Sequence, residues 1–105
     1  MNIRSKEEFK TLISSKDRTI VKFYTNWCPD CKRMDAFMPS VIEEVGSLTI
    51  HELNKDELPE VSEEQDVMGI PSLLVFQNGQ KMAHLHSANA KTPGEVIKFL
   101  NTHFK

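Results

Sequence analysis

Long apolar runs are missing from this sequence. The longest, around Leu73–Phe76, is far too short to cross a bilayer as a helix. A surplus of one charge is missing as well: 13 Lys and Arg stand against 15 Asp and Glu, interspersed, for a net −2. With no basic block, nucleic acid and anionic membrane surfaces are poor partner candidates. The opening MNIRSKEEFK has basic residues but no apolar signal core behind them, so the expected location is the cytoplasm. No repeat, low-complexity tract or Gly/Ser-rich linker interrupts the chain. Its 105 residues suffice for one hydrophobic core and not two, so a single domain over 1–105 is expected. No phosphate-binding glycine loop is present, and no bound cofactor is expected. Cysteine is nearly absent: Cys28 and Cys31 are the only two.

What is present looks globular, 39% apolar and 27% charged. Ser5 and Glu8 form a capping-box pattern ahead of Phe9, Leu12 and Ile13, which predicts a helix from about Lys6 to Ser14. The β-branched and aromatic TIVKFY, Thr19–Tyr24, reads as a buried strand interrupted by one lysine. Pro29 and Asp30 suit a first helical turn. The helix they start should run to Val45, with Met34, Phe37, Met38, Val41, Ile42 and Val45 inward, a kink at Pro39 and a stop at Gly46. LTIHELN predicts a second strand, and Leu58–Asp66 a short polar helix. Ser72–Gln77 and Gln80–His86 form a hairpin around Asn78–Gly79. Thr92-Pro93-x-Glu95 opens a last helix with Val96, Ile97, Leu100 and Phe104 on one face. Helices alternating with apolar strands require a sheet covered on both sides. The fold class is therefore α/β, with four strands, or five if Asn2–Arg4 pairs as a short edge.

The cysteines, two residues apart, fall where the first long strand gives way to the long helix. That position suits disulfide chemistry. The spacing lets the sulfurs bridge across one helical turn. Free N–H groups and the dipole at the helix terminus stabilise a thiolate on Cys28. Cys31 sits one turn inward, shielded, ready to resolve a mixed disulfide. Thiols in the cytoplasm are kept reduced, so a structural disulfide is not expected. Two alternatives stay open at this point: half of a zinc site completed by some of His51, His84, His86 and His103, or a structural pair of small buried residues. The histidines otherwise read as surface residues, and Met34, Met38 and Met68 as core or rim packing.

WCPDCK and GIPSLLVFQNGQ, in this order and separation, resemble the two signature segments of the thioredoxin family, and the match covers nearly the whole chain. The Pro-Asp pair between the cysteines is similar to the thioredoxin-related branch that carries WCPDC. The resemblance implies a thioredoxin-like sheet between helices and thiol–disulfide exchange through a redox-active Cys28–Cys31 disulfide. It implies a cis bond at Ile70–Pro71 beside the dithiol, with the Ile70 backbone and Pro71 docking an extended substrate segment. A strand-start proline would account for Pro71 alone. Trp27 becomes an apolar wall beside Cys28. The implied partners are disulfide-containing proteins or small disulfides, and a thioredoxin-reductase-type flavoprotein that delivers electrons from NADPH, or a low-molecular-weight thiol. A monomer is expected. A redox-inert or zinc-binding module of the same fold is the alternative.

The chain departs from the family pattern at three places. Lys22 stands where thioredoxins bury an aspartate, and Glu52 aligns with the family's partner lysine. The pair looks swapped, with Glu52 as counterion and as proton carrier for Cys31; otherwise Lys22 reaches solvent along its stem. Asp30 replaces a proline, so its carboxylate opposes a thiolate on Cys28 while its N–H can favour one. Ser87 stands where the family often has glycine, which narrows the groove and points to a narrower substrate set.

Overall fold

In the computed structural model, residues 2–104 are described. Five strands form one mixed sheet in the order β1-β3-β2-β4-β5. They are β1 (Asn2–Ile3), β2 (Thr19–Tyr24), β3 (Ile50–Asn54), β4 (Ser72–Gln77) and β5 (Gln80–Leu85). The first three are mutually parallel; β4 runs antiparallel to β2, and β5 to β4. The helices are α1 (Lys6–Ile13), α2 (Pro29–Val45), α3 (Pro59–Glu64) and α4 (Pro93–Phe104). The short N-terminal segment does pair, so the sheet has its fifth strand.

The period of two along β2 divides the interior. Val21 and Phe23 face one core with Phe9, Leu53, Val61, Leu74 and Phe76. Ile20 faces the other, where Met34, Val41, Leu73, Val75, Val96 and Leu100 pack. A sheet buried on both faces accounts for the near-continuous apolar runs of β2 and β4. By the same alternation Lys22 points toward α2, the side occupied by Ile20.

Element ends follow local chemistry. Ser5 Oγ accepts from the Glu8 amide at 3.1 Å, but the return bond from the Ser5 amide to the Glu8 carboxylate is absent among the described residues. The Thr92–Glu95 box forms fully, with bonds of 3.0–3.3 Å. Helix α2 continues through Pro39, which lies on its exposed side, and ends at Gly46, φ +84°. Helix α3 is shorter than expected, because Asp66 turns into the left-handed region at φ +59°. Asn78 and Gly79, at φ +54° and +81°, make the hairpin turn. Strand β3 starts at Ile50 instead of Leu48, which packs at the edge of the second core. A bulge at Met82 interrupts β5: Phe76 pairs with Lys81 and Val75 with Ala83. The extra residue puts Lys81 on the same face as His84. Met68 is not packed; it is 88% exposed.

Candidate dithiol site

Strand β2 and helix α2 meet at Cys28, whose extended backbone (φ −85°, ψ 111°) caps the helix. A thiol does here what a serine or aspartate side chain does at other helix starts. Cys28 Sγ accepts the Cys31 backbone N–H at 3.1 Å and lies 3.8 Å from the Ile70 carbonyl oxygen. The donor is Cys31 and not Asp30, which corrects the expectation that the Asp30 N–H would serve. Both cysteines are free thiols. Cys28 is 4% exposed and Cys31 1%, so the Cys28 sulfur is better covered than its sequence position suggests. Burial above all, then the hydrogen bond with Cys28, pushes the Cys31 thiol up from 9.0 to about 12. The Thr25 backbone and the Lys22 charge pull the other way. Cys31 thus keeps its proton at neutral pH.

The Ile70–Pro71 bond is cis, at the start of β4. Ser72 Oγ donates to the Gly69 carbonyl at 2.6 Å and fastens this turn. Pro71 is buried and Ile70 half-buried. Ser87, in a 3-10 turn (Ser87–Asn89) after β5, packs directly on Gly69. A Cβ at Gly69 would run into Ser87 Oγ and lie 3.2 Å from Ser87 Cβ. Ser87 therefore abuts the residue before Ile70, within the groove wall.

Trp27 is 67% exposed, a rim residue. Its indole N–H donates to Asp56 Oδ2 at 2.8 Å. Asp56 is placed by buried Asn54, whose side-chain oxygen accepts the Asp56 and Glu57 backbone amides at 2.8 and 3.4 Å. This Asx turn at the end of β3 orients the tryptophan. Asp56 was not legible in the sequence as a site residue.

Beneath the dithiol lies Lys22, its side chain 3% exposed. Glu52, its register neighbour on β3, is 3.8 Å away. A closer partner is Asp35 of α2, which accepts from Lys22 Nζ. The expected swapped pair is therefore a three-charge cluster with Asp35 as the main counterion. Asp35 stands one turn beyond Cys31 beside the buried stripe of α2, its own side chain largely exposed and reaching in to Lys22. Nothing in the sequence marked it as a site residue. A cavity of about 230 Å³ opens beside the cluster, lined by Lys22, Asp35, Met38, Pro39, Ile42, Ile50 and Glu52.

Pro29 and Asp30 occupy the first turn of α2 as expected. Asp30 does not stand unpaired beside Cys28. Lys91 Nζ donates to its Oδ2 at 2.6 Å, and Arg33 lies 3.6 Å from Oδ1. Lys91 above all holds the Asp30 carboxyl below the usual carboxylate range. The histidines are not all surface residues. The His84 ring is half-buried and stacks on His86 with centroids 3.7 Å apart. Among the described residues no group of three or more His, Cys, Asp or Glu is placed to hold a metal ion.

The thioredoxin family model matches residues 1–102. Thioredoxin-1 of Saccharomyces cerevisiae is 30% identical over 94 residues, 90% of this chain and 91% of that protein. Thioredoxin 1 of Plasmodium falciparum is 28% identical over 96 residues, 91% and 92% of the two chains. Among solved structures, oxidised mitochondrial thioredoxin 3 of S. cerevisiae superposes with a TM-score of 0.76 at 26% identity, covering 95% of this chain and 94% of that one. With its full-length match, its sheet order and a dithiol capping the second helix, the chain belongs to the thioredoxin family and is a thiol–disulfide oxidoreductase.

Proposed function

We propose that this oxidoreductase works mainly as a cytoplasmic disulfide reductase, as a monomer. Cys28, as thiolate, attacks one sulfur of a substrate disulfide. A Cys28–substrate bond forms, and the other substrate sulfur leaves as a thiolate and takes up a proton. Cys31 then gives up its proton and attacks the Cys28 sulfur. The Cys28–Cys31 bond forms and the second substrate sulfur leaves, so two electrons have passed to the substrate. The oxidised chain is restored by a thioredoxin-reductase-type flavoprotein using NADPH, or by a low-molecular-weight thiol. The observation that carries this reading is Cys28 Sγ at the helix terminus, 3.1 Å from the Cys31 amide, with Cys31 buried behind it.

The proton on Cys31 is the harder one to move, given burial that lifts it to about 12. The Lys22 ammonium favours the Cys31 thiolate. Glu52 and Asp35, both paired with Lys22, take the proton through water. If Glu52→Gln and Asp35→Asn both leave the pH–rate profile unchanged, that proton route is wrong. With Ser87 against Gly69, substrates are a narrow set, small disulfides among them.

Equilibration in graded thiol–disulfide buffers, with free thiols counted, gives the potential of the couple. A value near or below about −230 mV supports the reductase reading; one near about −120 to −180 mV matches an oxidant or isomerase and rejects it. Thiols that fail to titrate as a pair would favour an inert binding module. Both cysteines serve the dithiol and none is left for a structural bridge, which supports a reducing compartment. Fractionation of cells producing the tagged chain tests the location, and recovery with a membrane-bounded organelle rejects the cytoplasm.

A further inference from the structure

One of the two residues between the cysteines, Asp30, carries a negative charge, which should work against the thiolate that the helix terminus favours. The geometry resolves that conflict through a residue 61 positions away. Lys91 lies in the loop between the Ser87–Asn89 turn and α4. Its backbone is pinned: its N–H donates to Glu95 Oε1 at 3.2 Å, and the adjoining Thr92 closes the capping box with the same carboxylate. Ala90, just before it, is buried. From this anchored backbone the side chain reaches the first turn of α2 and meets Asp30 Oδ2 at 2.6 Å. Arg33, the other cation on Asp30, is 3.6 Å away and 65% exposed, a weaker partner.

We propose that Lys91 is a positioning residue of the thiol–disulfide reaction: it neutralises Asp30 and holds that carboxylate toward α4, so that the charge between the cysteines does not disfavour a thiolate on Cys28. The pair is too exposed to add much to stability. Its effect is felt at the sulfur, where a net charge is either present or cancelled. The same contact ties the loop behind Ser87 to the dithiol turn, so the two sides of the groove are joined by one ion pair.

The proposal rests on Cys28 being the attacking thiol, and the test separates the two ideas. Iodoacetamide alkylation of the reduced protein is followed against pH, with the modified cysteine identified by mass. Lys91→Met should slow Cys28 alkylation at pH 7 about two- to fivefold and move its profile to higher pH, Arg33 compensating in part. Lys91→Arg should restore both. The reduction potential of Lys91→Met should move to more negative values, because the thiolate-bearing reduced form loses stabilisation. In an Asp30→Asn background, Lys91→Met should change none of these. An unchanged profile in Lys91→Met, or an equal shift in both backgrounds, overturns the proposal while leaving Cys28 as the nucleophile. Alkylation at Cys31 first overturns both.

Discussion

Lys22 carries a full charge in a place where water is nearly excluded, and its two counterions are both more accessible than it is. Their side chains are 58% exposed for Asp35 and 36% for Glu52, against 3% for Lys22. Removing one carboxylate leaves the other. At about 4 Å and an effective dielectric near 20, a remaining partner still attracts by about 4 kcal/mol. Asp35→Asn alone should therefore cost about 1–2 kcal/mol, the larger of the two single losses because Asp35 is the closer partner. Asp35→Asn with Glu52→Gln strands the ammonium and should cost about 3–5 kcal/mol. Lys22→Met removes the buried charge itself, and its two former partners are exposed enough to be solvated. That variant should be about as stable as the parent or more so. Urea unfolding of the reduced protein reads these differences, since about 1–3 kcal/mol per molar converts each into a visible midpoint change. The reasoning fails if the double variant loses less than about 1 kcal/mol, or if Lys22→Met is the least stable of the set. Function should part from stability in Lys22→Met. Without the cation that favours a Cys31 thiolate, release of the mixed disulfide should slow although the fold is intact.

Further outcomes are expected. Cys31→Ser should accumulate a mixed disulfide on Cys28, visible by mass, whereas Cys28→Ser should form none. The Cys31 thiol, raised from 9.0 to about 12 by burial first, contributes stability that is complete below about pH 9 and lost as pH rises toward 12. Unfolding of the reduced protein across that window should show a decline that Cys31→Ala removes. His84 is lowered from 6.5 to about 4, by burial first and then by His86 and Lys81. Its contribution is complete above about pH 6.5 and lost as pH falls through about 4, so His84→Gln should flatten the melting temperature over that range.

The parts of the fold that could be read in the sequence are those written in local spacing. The capping residues at Ser5 and Thr92, the Asn78–Gly79 turn, the stripe of α2 and the two apolar strands each report on neighbours a few residues away. The dithiol was legible for the same reason, since Cys28 and Cys31 share one turn. Its surroundings were not. Asp35, Asp56 and Lys91 are ordinary polar residues until the chain folds and brings them to Lys22, Trp27 and Asp30. Period and composition carry no trace of a partner 29 or 61 positions off. Met68 shows the converse: apolar by type, it lands outward after Asp66 reverses the backbone.

The contact between Gly69 and Ser87 makes two positions compete for one space. Substitutions at these sites are consequently ordered in time. A side chain at 69 makes the Ser87 hydroxyl swing away and its Cβ yield, so it comes most easily after the one at 87 is given up, and a chain that took the steps in reverse would pass through a crowded intermediate. Two relatives could each hold a well-formed groove, one with its bulk on either side, and a chimera exchanging the segment after β5 would inherit both or neither. The groove is thus a shared inheritance of two distant stretches, and engineering its width means treating 69 and 87 as a single site.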